Sequence, residues 1–174
     1  MSGNGFAAAV EIVLEHEGFG KFTDDAADPG GATQWVISLR FLRALEGGAG
    51  DIDGDGDVDA DDVRALTRPR AEELYRVEFW ERYGYGRLGA WQIGAKVFDL
   101  AVNMGPRPAH RVLQRALRAN DVRVAEDGRL GPKTLAAANG CFARPLLVAL
   151  RAEAAGFYRS LVTGQARRGR YLAG

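Results

Sequence analysis

Apolar residues recur at helical spacing through most of this chain. Phe6, Val10, Val13 and Leu14 fall on one stripe with Glu11 and Glu15 off it, so residues 5–17 read as an amphipathic helix that Gly18 ends. A loop rich in Gly, Asp and Pro follows over 18–33. A second helix over 38–46 and a short one over 60–66 flank an acidic stretch. Pro69 opens a helix over 69–83, with Leu74, Val77, Phe79 and Trp80 on its buried face. Further helices are expected at 90–104, 107–119, 132–138 and 144–163. Convincing strands are absent, and a short hairpin within the Gly- and Asp-rich 18–35 loop is the one exception left open. The fold class is therefore mainly α.

The acidic stretch, residues 51–62, puts carboxylates at positions 1, 3, 5, 9 and 12 of an EF-hand-type loop. Asp51, Asp53 and Asp55 offer side-chain oxygens to a calcium ion. Asp57 offers its backbone carbonyl, Asp59 a direct or water-mediated contact, and Asp62 the closing carboxylate. Gly56 supplies the sharp turn. Seven carboxylates within these residues would repel one another without a cation, so a structural Ca2+ is the expected cofactor. Asp rather than Glu at the closing position resembles dockerin-type loops more than sensor EF-hands. A helix–loop–helix unit is then inserted in the helical fold.

The 174 residues, 47% of them apolar, are enough for a real core and exclude a disordered chain. Net charge is zero by cancellation. Residues 1–65 carry fourteen Asp and Glu against four Lys and Arg, and residues 66–174 carry nine against nineteen. The basic half suits an anionic polymer, or it faces the acidic half or solvent. Cys141 is the one cysteine, which excludes an intramolecular disulfide; its Asn-Gly-Cys-Phe-Ala-Arg-Pro context predicts a buried structural thiol at a turn between helices. The start of the chain lacks a signal peptide and no apolar run is long enough for a membrane span, so cytoplasmic synthesis without integral membrane association is expected.

Candidate chemistry lies in the first loop. Glu17 ends the first helix, where the negative end of the helix dipole disfavours its ionised form, a property that suits a general acid. Asp24, Asp25 and Asp28 follow. A pair of carboxylates around a cleft is what glycoside hydrolysis requires, one to protonate the leaving oxygen and one to stabilise the cation or activate water.

His16-Glu17-Gly18, then Asp28-Pro29-Gly30-Gly31-Ala32-Thr33 and Ile37-Ser38, resemble the N-terminal motif of glycoside hydrolase family 108, muramidases often found in phages and prophages. The likeness continues through residues 71–80, Ala-Glu-Glu-Leu-Tyr-Arg-Val-Glu-Phe-Trp. In the second half, residues 98–106, 113–117 and 127–135 are similar to the predicted peptidoglycan-binding segment found with that family. The resemblance implies a lysozyme-like helical fold, with a catalytic region over 1–90 and a peptidoglycan-binding region over 91–174 packed as one unit with the first. It implies hydrolysis of the β-1,4 bond between N-acetylmuramic acid and N-acetylglucosamine, with Glu17 as the acid and Asp28 and Thr33 holding a water on the other face, which suits inversion. Asp24 and Asp25 are the competing second carboxylates. Asn103 and Gln114 are implied substrate contacts.

The chain departs from the family pattern at Phe19 and Val36, where glycine is usual, at Gln34, where asparagine is usual, and in a longer spacer before Asp28. A β-branched residue in place of glycine matters where φ is positive. The alternative function is a calcium-stabilised wall-binding or structural protein that has lost hydrolysis. Arg107, Arg111, Arg115 and Arg118 lie near one helical face, but no nucleic-acid motif accompanies them, and a monomer whose partner is peptidoglycan glycan strands is expected. The wall is reached after release or as part of a phage-like particle. His16 is expected half-buried, His110 solvent-facing, and two of Trp35, Trp80 and Trp91 in the core.

Overall fold

A computed structural model describes residues 3–16, 20–24 and 30–172 of the chain. It is mainly helical, consistent with a lysozyme-like fold. Two compact units are present: residues 10–78, and residues 1–9 together with 79–174.

Helix α1 spans Gly3–His16. In the 10–78 unit Val10, Val13 and Leu14 are all buried, as the stripe predicts. The chain then forms a two-stranded antiparallel hairpin, β1 (Thr33–Gln34) and β2 (Ile37–Ser38), with Thr33 opposite Ser38. Ser38 leads directly into α2 (Leu39–Arg43) as its N-cap: its hydroxyl accepts the Phe41 amide at 3.2 Å, satisfying one of the amides that a helix start leaves unpaired. Helix α2 is shorter than the expected 38–46. The Ala44 and Leu45 amides bond three residues back, to Phe41 at 3.0 Å and Leu42 at 3.1 Å, which tightens and ends the helix, and Gly47 and Gly48 then adopt positive φ as the chain turns toward the acidic loop.

After that loop, Asp59 caps α3 (Ala60–Ala65) in a reciprocal box with Asp62, whose Oδ2 accepts the Asp59 amide at 2.7 Å. Thr67 caps α4 (Arg68–Tyr75), with proline in its first turn. Arg68 ties the two ends of this unit by pairing with Glu11 of α1 and, at 2.7 Å, with Glu72 one turn along α4. The helix expected over 69–83 is present, with a π-helical turn inside it at Arg76–Glu81. The wider turn rotates the apolar stripe, burying Trp80 while Val77 is left 43% exposed.

In the other unit a short turn, Tyr85–Arg87, leads to α5 (Trp91–Met104), α6 (Pro106–Arg118), α7 (Pro132–Gly140) and α8 (Ala143–Leu172). Helices α5, α6 and α8 pack on one another. The aromatic core centres on Phe98 and Trp80, whose ring centroids lie 5.7 Å apart edge to face, with Phe6 at 5.7 Å from Trp80. Gly94 lets α5 approach the preceding turn, since a Cβ there would stand 2.9 Å from the Tyr85 carbonyl oxygen. Gly105 and Pro106 divide α5 from α6, the first by a positive φ and the second by occupying the start of the new helix. Helix α8 runs longer than the expected 144–163. Cys141, at the turn between α7 and α8, is half-buried rather than buried.

His110 contradicts its expected solvent-facing position. It is 3% exposed, held by the Tyr85 hydroxyl at 3.0 Å and by the Gly128 carbonyl at 3.1 Å. The carbonyl can only accept, so Nδ1 carries the proton and Nε2 accepts from Tyr85. Surface periodicity on α6 misplaces it because these two polar partners come from outside the helix. Burial lowers its pKa from the usual 6.5, against the opposing pull of the Gly128 carbonyl and Asp127. The folded state thus disfavours the protonated ring. Stability is fully present above the unfolded histidine value and is lost as pH falls below it toward the lowered folded value. An NMR titration is expected to place His110 below the ordinary histidine range, and urea midpoints should begin to fall on acidification through that range. In His110→Asn this early loss should disappear; an ordinary His110 titration would contradict the burial.

Of the three tryptophans, Trp80 alone is buried; Trp35 is half-buried and Trp91 is 46% exposed. Expecting two in the core overcounts. No helix among the described residues is long and apolar enough to cross a membrane.

Candidate functional site

Thr33 is the described member of the candidate catalytic set; Glu17, Phe19, Asp25 and Asp28 lie outside the described residues. Its backbone is fixed on both edges. Thr33 and Thr23 exchange two amide–carbonyl hydrogen bonds, at 2.9 and 2.7 Å, while Ser38 is its partner across the hairpin. The segment just before it is equally well held: the Leu39 amide donates to Ala32 at 2.8 Å and the Arg40 amide to Gly30 at 3.1 Å. Thr33 Oγ1 donates to the Gly31 carbonyl at 3.2 Å. With its proton so committed, the hydroxyl oxygen is left as an acceptor, the role required to orient a water.

The hairpin loop consists of Trp35 and Val36, with φ of 54° and 61°. Both central residues therefore lie in the left-handed region, the geometry of a type I′ turn, where Asn-Gly is the favoured pair. For β-branched Val36 this conformation is strained. The surroundings hold the turn from three sides. Trp35 Nε1 and Gln34 Nε2 donate to the Leu66 carbonyl at 3.1 and 3.4 Å, and the Tyr75 hydroxyl donates to the Trp35 carbonyl at 2.8 Å. Beneath the indole lies Gly20, where a Cβ would come within 2.4 Å of the ring. Trp35 thus joins the loop after α1, the Thr33 hairpin and the end of α3. Sequence reasoning missed this role. The local signals were the two residues separating Thr-Gln from Ile-Ser, without the Asn-Gly pair that marks such turns, and Val36 where glycine is usual; neither points to the indole's long-range contacts.

Val36→Gly is expected to stabilise the protein by about 1 kcal/mol, the left-handed penalty less the entropy that glycine adds to the unfolded chain. The check is a higher urea midpoint at an unchanged slope. A lower midpoint would show that valine packing outweighs the strain.

The acidic loop folds around its own carboxylates. Asp51 accepts the amides of Gly54 at 2.7 Å and Gly56 at 3.1 Å, and the latter glycine has φ +101°, as its expected turn position requires. Asp62 is buried and accepts the Ile52 amide at 2.6 Å. Carboxylate oxygens gather in two trios, Asp51 with Asp53 and Asp55, and Asp57 with Asp59 and Asp62, the atoms within each trio lying within 4.8 Å of one another. Asp57 brings its side chain to the second trio, a placement the carbonyl-ligand expectation does not include. Desolvation and then neighbouring aspartates raise the carboxyl of Asp53, and Asp55 foremost raises that of Asp57. At Asp62 burial opposes ionisation but is outweighed by the backbone amides of Asp59, Ile52 and Asp53, which lower its pKa. An all-oxygen, carboxylate-rich donor set fits a hard divalent cation.

The two implied substrate contacts lie in the second unit. Asn103 is exposed, and its amide donates to the carbonyl and side chain of Asp99 at 2.9 and 3.2 Å. Asp99 in turn pairs with Lys96 at 2.7 Å. Gln114 is fully buried: its amide donates to Asp127 at 2.7 Å, the Arg129 carbonyl at 3.1 Å and Thr134 at 3.3 Å, while its oxygen accepts the Gly128 amide at 2.9 Å. In this structure it pins the 127–129 loop to α6 and α7. Two of the arginines on α6, Arg115 and Arg118, pair with Glu126 at 2.6 and 3.6 Å.

The model of the family described as glycosyl hydrolase 108 matches residues 10–105, and that of a predicted peptidoglycan domain matches residues 108–174. No curated protein matches the sequence significantly. Among solved structures, that of Brucella abortus SagA is similar, with 31% identity and a TM-score of 0.73 over 95% of this chain and 88% of that one.

Proposed function

The chain belongs to the glycosyl hydrolase 108 family and joins it to a peptidoglycan-binding domain, and from this premise we propose an N-acetylmuramidase cleaving the β-1,4 bond from N-acetylmuramic acid to N-acetylglucosamine. The coarser activity, a glycoside hydrolase acting on peptidoglycan, follows from the family itself. In the proposed reaction Glu17 donates a proton to the glycosidic oxygen. Asp28 takes a proton from the attacking water, and the Thr33 hydroxyl accepts a hydrogen bond from that water. The observation that carries this reading is the fixed Thr33: its hydroxyl proton is engaged by Gly31 and its backbone is paired on both edges, which supports a positioning role. The same proposal has the protein act on the wall after release or as part of a phage-like particle.

Digestion of purified peptidoglycan, with mass spectrometry of the new ends, tests the bond assignment. Reducing-end N-acetylmuramic acid is the expected product. Intact wall after binding would favour the second reading, a wall-binding protein without hydrolysis, for which the strained Val36 beside Thr33 is the motivating observation.

The acidic loop is proposed as a structural calcium site. Its ligands would be Asp51, Asp53, Asp55, Asp59 and Asp62, with Asp57 through carbonyl or carboxylate. Calcium would neutralise crowded carboxylates and fix the segment between α2 and α3; it has no role in bond cleavage.

A further inference from the structure

Within the peptidoglycan-binding domain, residues 123–137 border a surface groove of about 960 Å³. Its apolar lining is made of small residues, Val124, Ala125, Pro132, Ala136 and Ala137, and among the lining residues there is no aromatic ring. Cationic residues are also part of the lining. Arg123, Arg129 and Lys133 are all exposed on its walls, and among the described residues Arg123 and Lys133 have no ion-pair partner, unlike Arg115 and Arg118 nearby. The single carboxylate in the lining, Asp127, is already engaged by Gln114 at 2.7 Å and by the Arg129 amide at 2.9 Å. One wall is preorganised, because buried Gln114 fixes the 127–129 loop with hydrogen bonds to three of its groups as well as to Thr134.

These features discriminate between the two polymers of the wall. Glycan strands present neutral amides and pyranose faces, which proteins meet with flat amphipathic rings. None lines this groove. A peptide stem presents alanine methyls and several carboxylates along an extended chain, complementary to small apolar residues alongside guanidinium and ammonium groups. Resting on the wall-substrate reading above, we propose that this groove binds the peptide stem of peptidoglycan rather than its glycan strand. The hydrolase then engages its substrate through two chemistries, sugar at the bond to be cut and carboxylated peptide at the binding domain.

The test uses the full chain and three probes: intact sacculi, sacculi stripped of stems by an amidase, and an isolated alanine-rich stem tetrapeptide. Wild type should bind the tetrapeptide and lose about tenfold or more in affinity on stripped glycan. Arg123→Glu combined with Lys133→Glu should weaken tetrapeptide binding by about tenfold while leaving the circular-dichroism spectrum unchanged. Equal binding to stripped and intact sacculi, or a tetrapeptide affinity indifferent to the charge reversals, overturns the proposal. Release of reducing ends in the same samples is read separately: if ends appear while the tetrapeptide does not bind, the groove assignment fails and the hydrolase reading stands.

Discussion

Glu17→Gln is expected to reduce release of reducing ends from peptidoglycan by a factor on the order of a hundred or more, with folding and wall binding retained. Glutamine preserves the shape and much of the hydrogen bonding of the acid but has no proton to transfer to the glycosidic oxygen, so the loss should fall on turnover rather than on substrate affinity. Asp28→Asn should impair the water side severely and Thr33→Ala less so, because the hydroxyl orients the water while the carboxylate must accept its proton. Equal rates for wild type and Glu17→Gln would move the acid to Asp24, Asp25 or Asp28. An inactive wild type that gains activity when Phe19 and Val36 are returned to glycine would identify the chain as a degenerate muramidase.

Calcium is expected to raise stability by about 4 kcal/mol when free ion exceeds its dissociation constant about a thousandfold, by mass action on the folded state alone. Chelation should therefore lower the melting temperature. Asp51→Ala combined with Asp55→Ala should erase the difference between calcium and chelator. Asp51 also holds the loop by accepting the Gly54 and Gly56 amides, so the double variant should melt below the chelated wild type as well. Coincident wild-type melting curves with calcium and with chelator would rule out a structural site.

The strain at Val36 shows where local reading stopped. Its φ of 61° is set by pairings that reach across the unit: Trp35 to Leu66, and Tyr75 back to the Trp35 carbonyl. No window of neighbouring residues contains that information. His110 and Gln114 teach the same lesson, since their partners come from other segments, Tyr85 before α5, Thr134 in α7 and the 127–129 loop, that meet α6 only after the chain has folded. Periodicity assigns a face to each residue of a helix but not the polar atoms that another segment brings to it.

By itself the sequence determined the mainly helical class, the approximate places of the helices, the carboxylate spacing of the acidic loop and the ordered motifs of the family. These depend on residues a few positions apart, where helix geometry and turn chemistry act directly. Tertiary structure alone decided the π-helical turn at 76–81, the burial of His110, the closed hydrogen bonding of Gln114 and the cation-lined groove at 123–137. Each of those arises from long-range packing, in which satisfying buried polar groups and filling the space around Trp80 and Phe98 overrides the preference of the local chain.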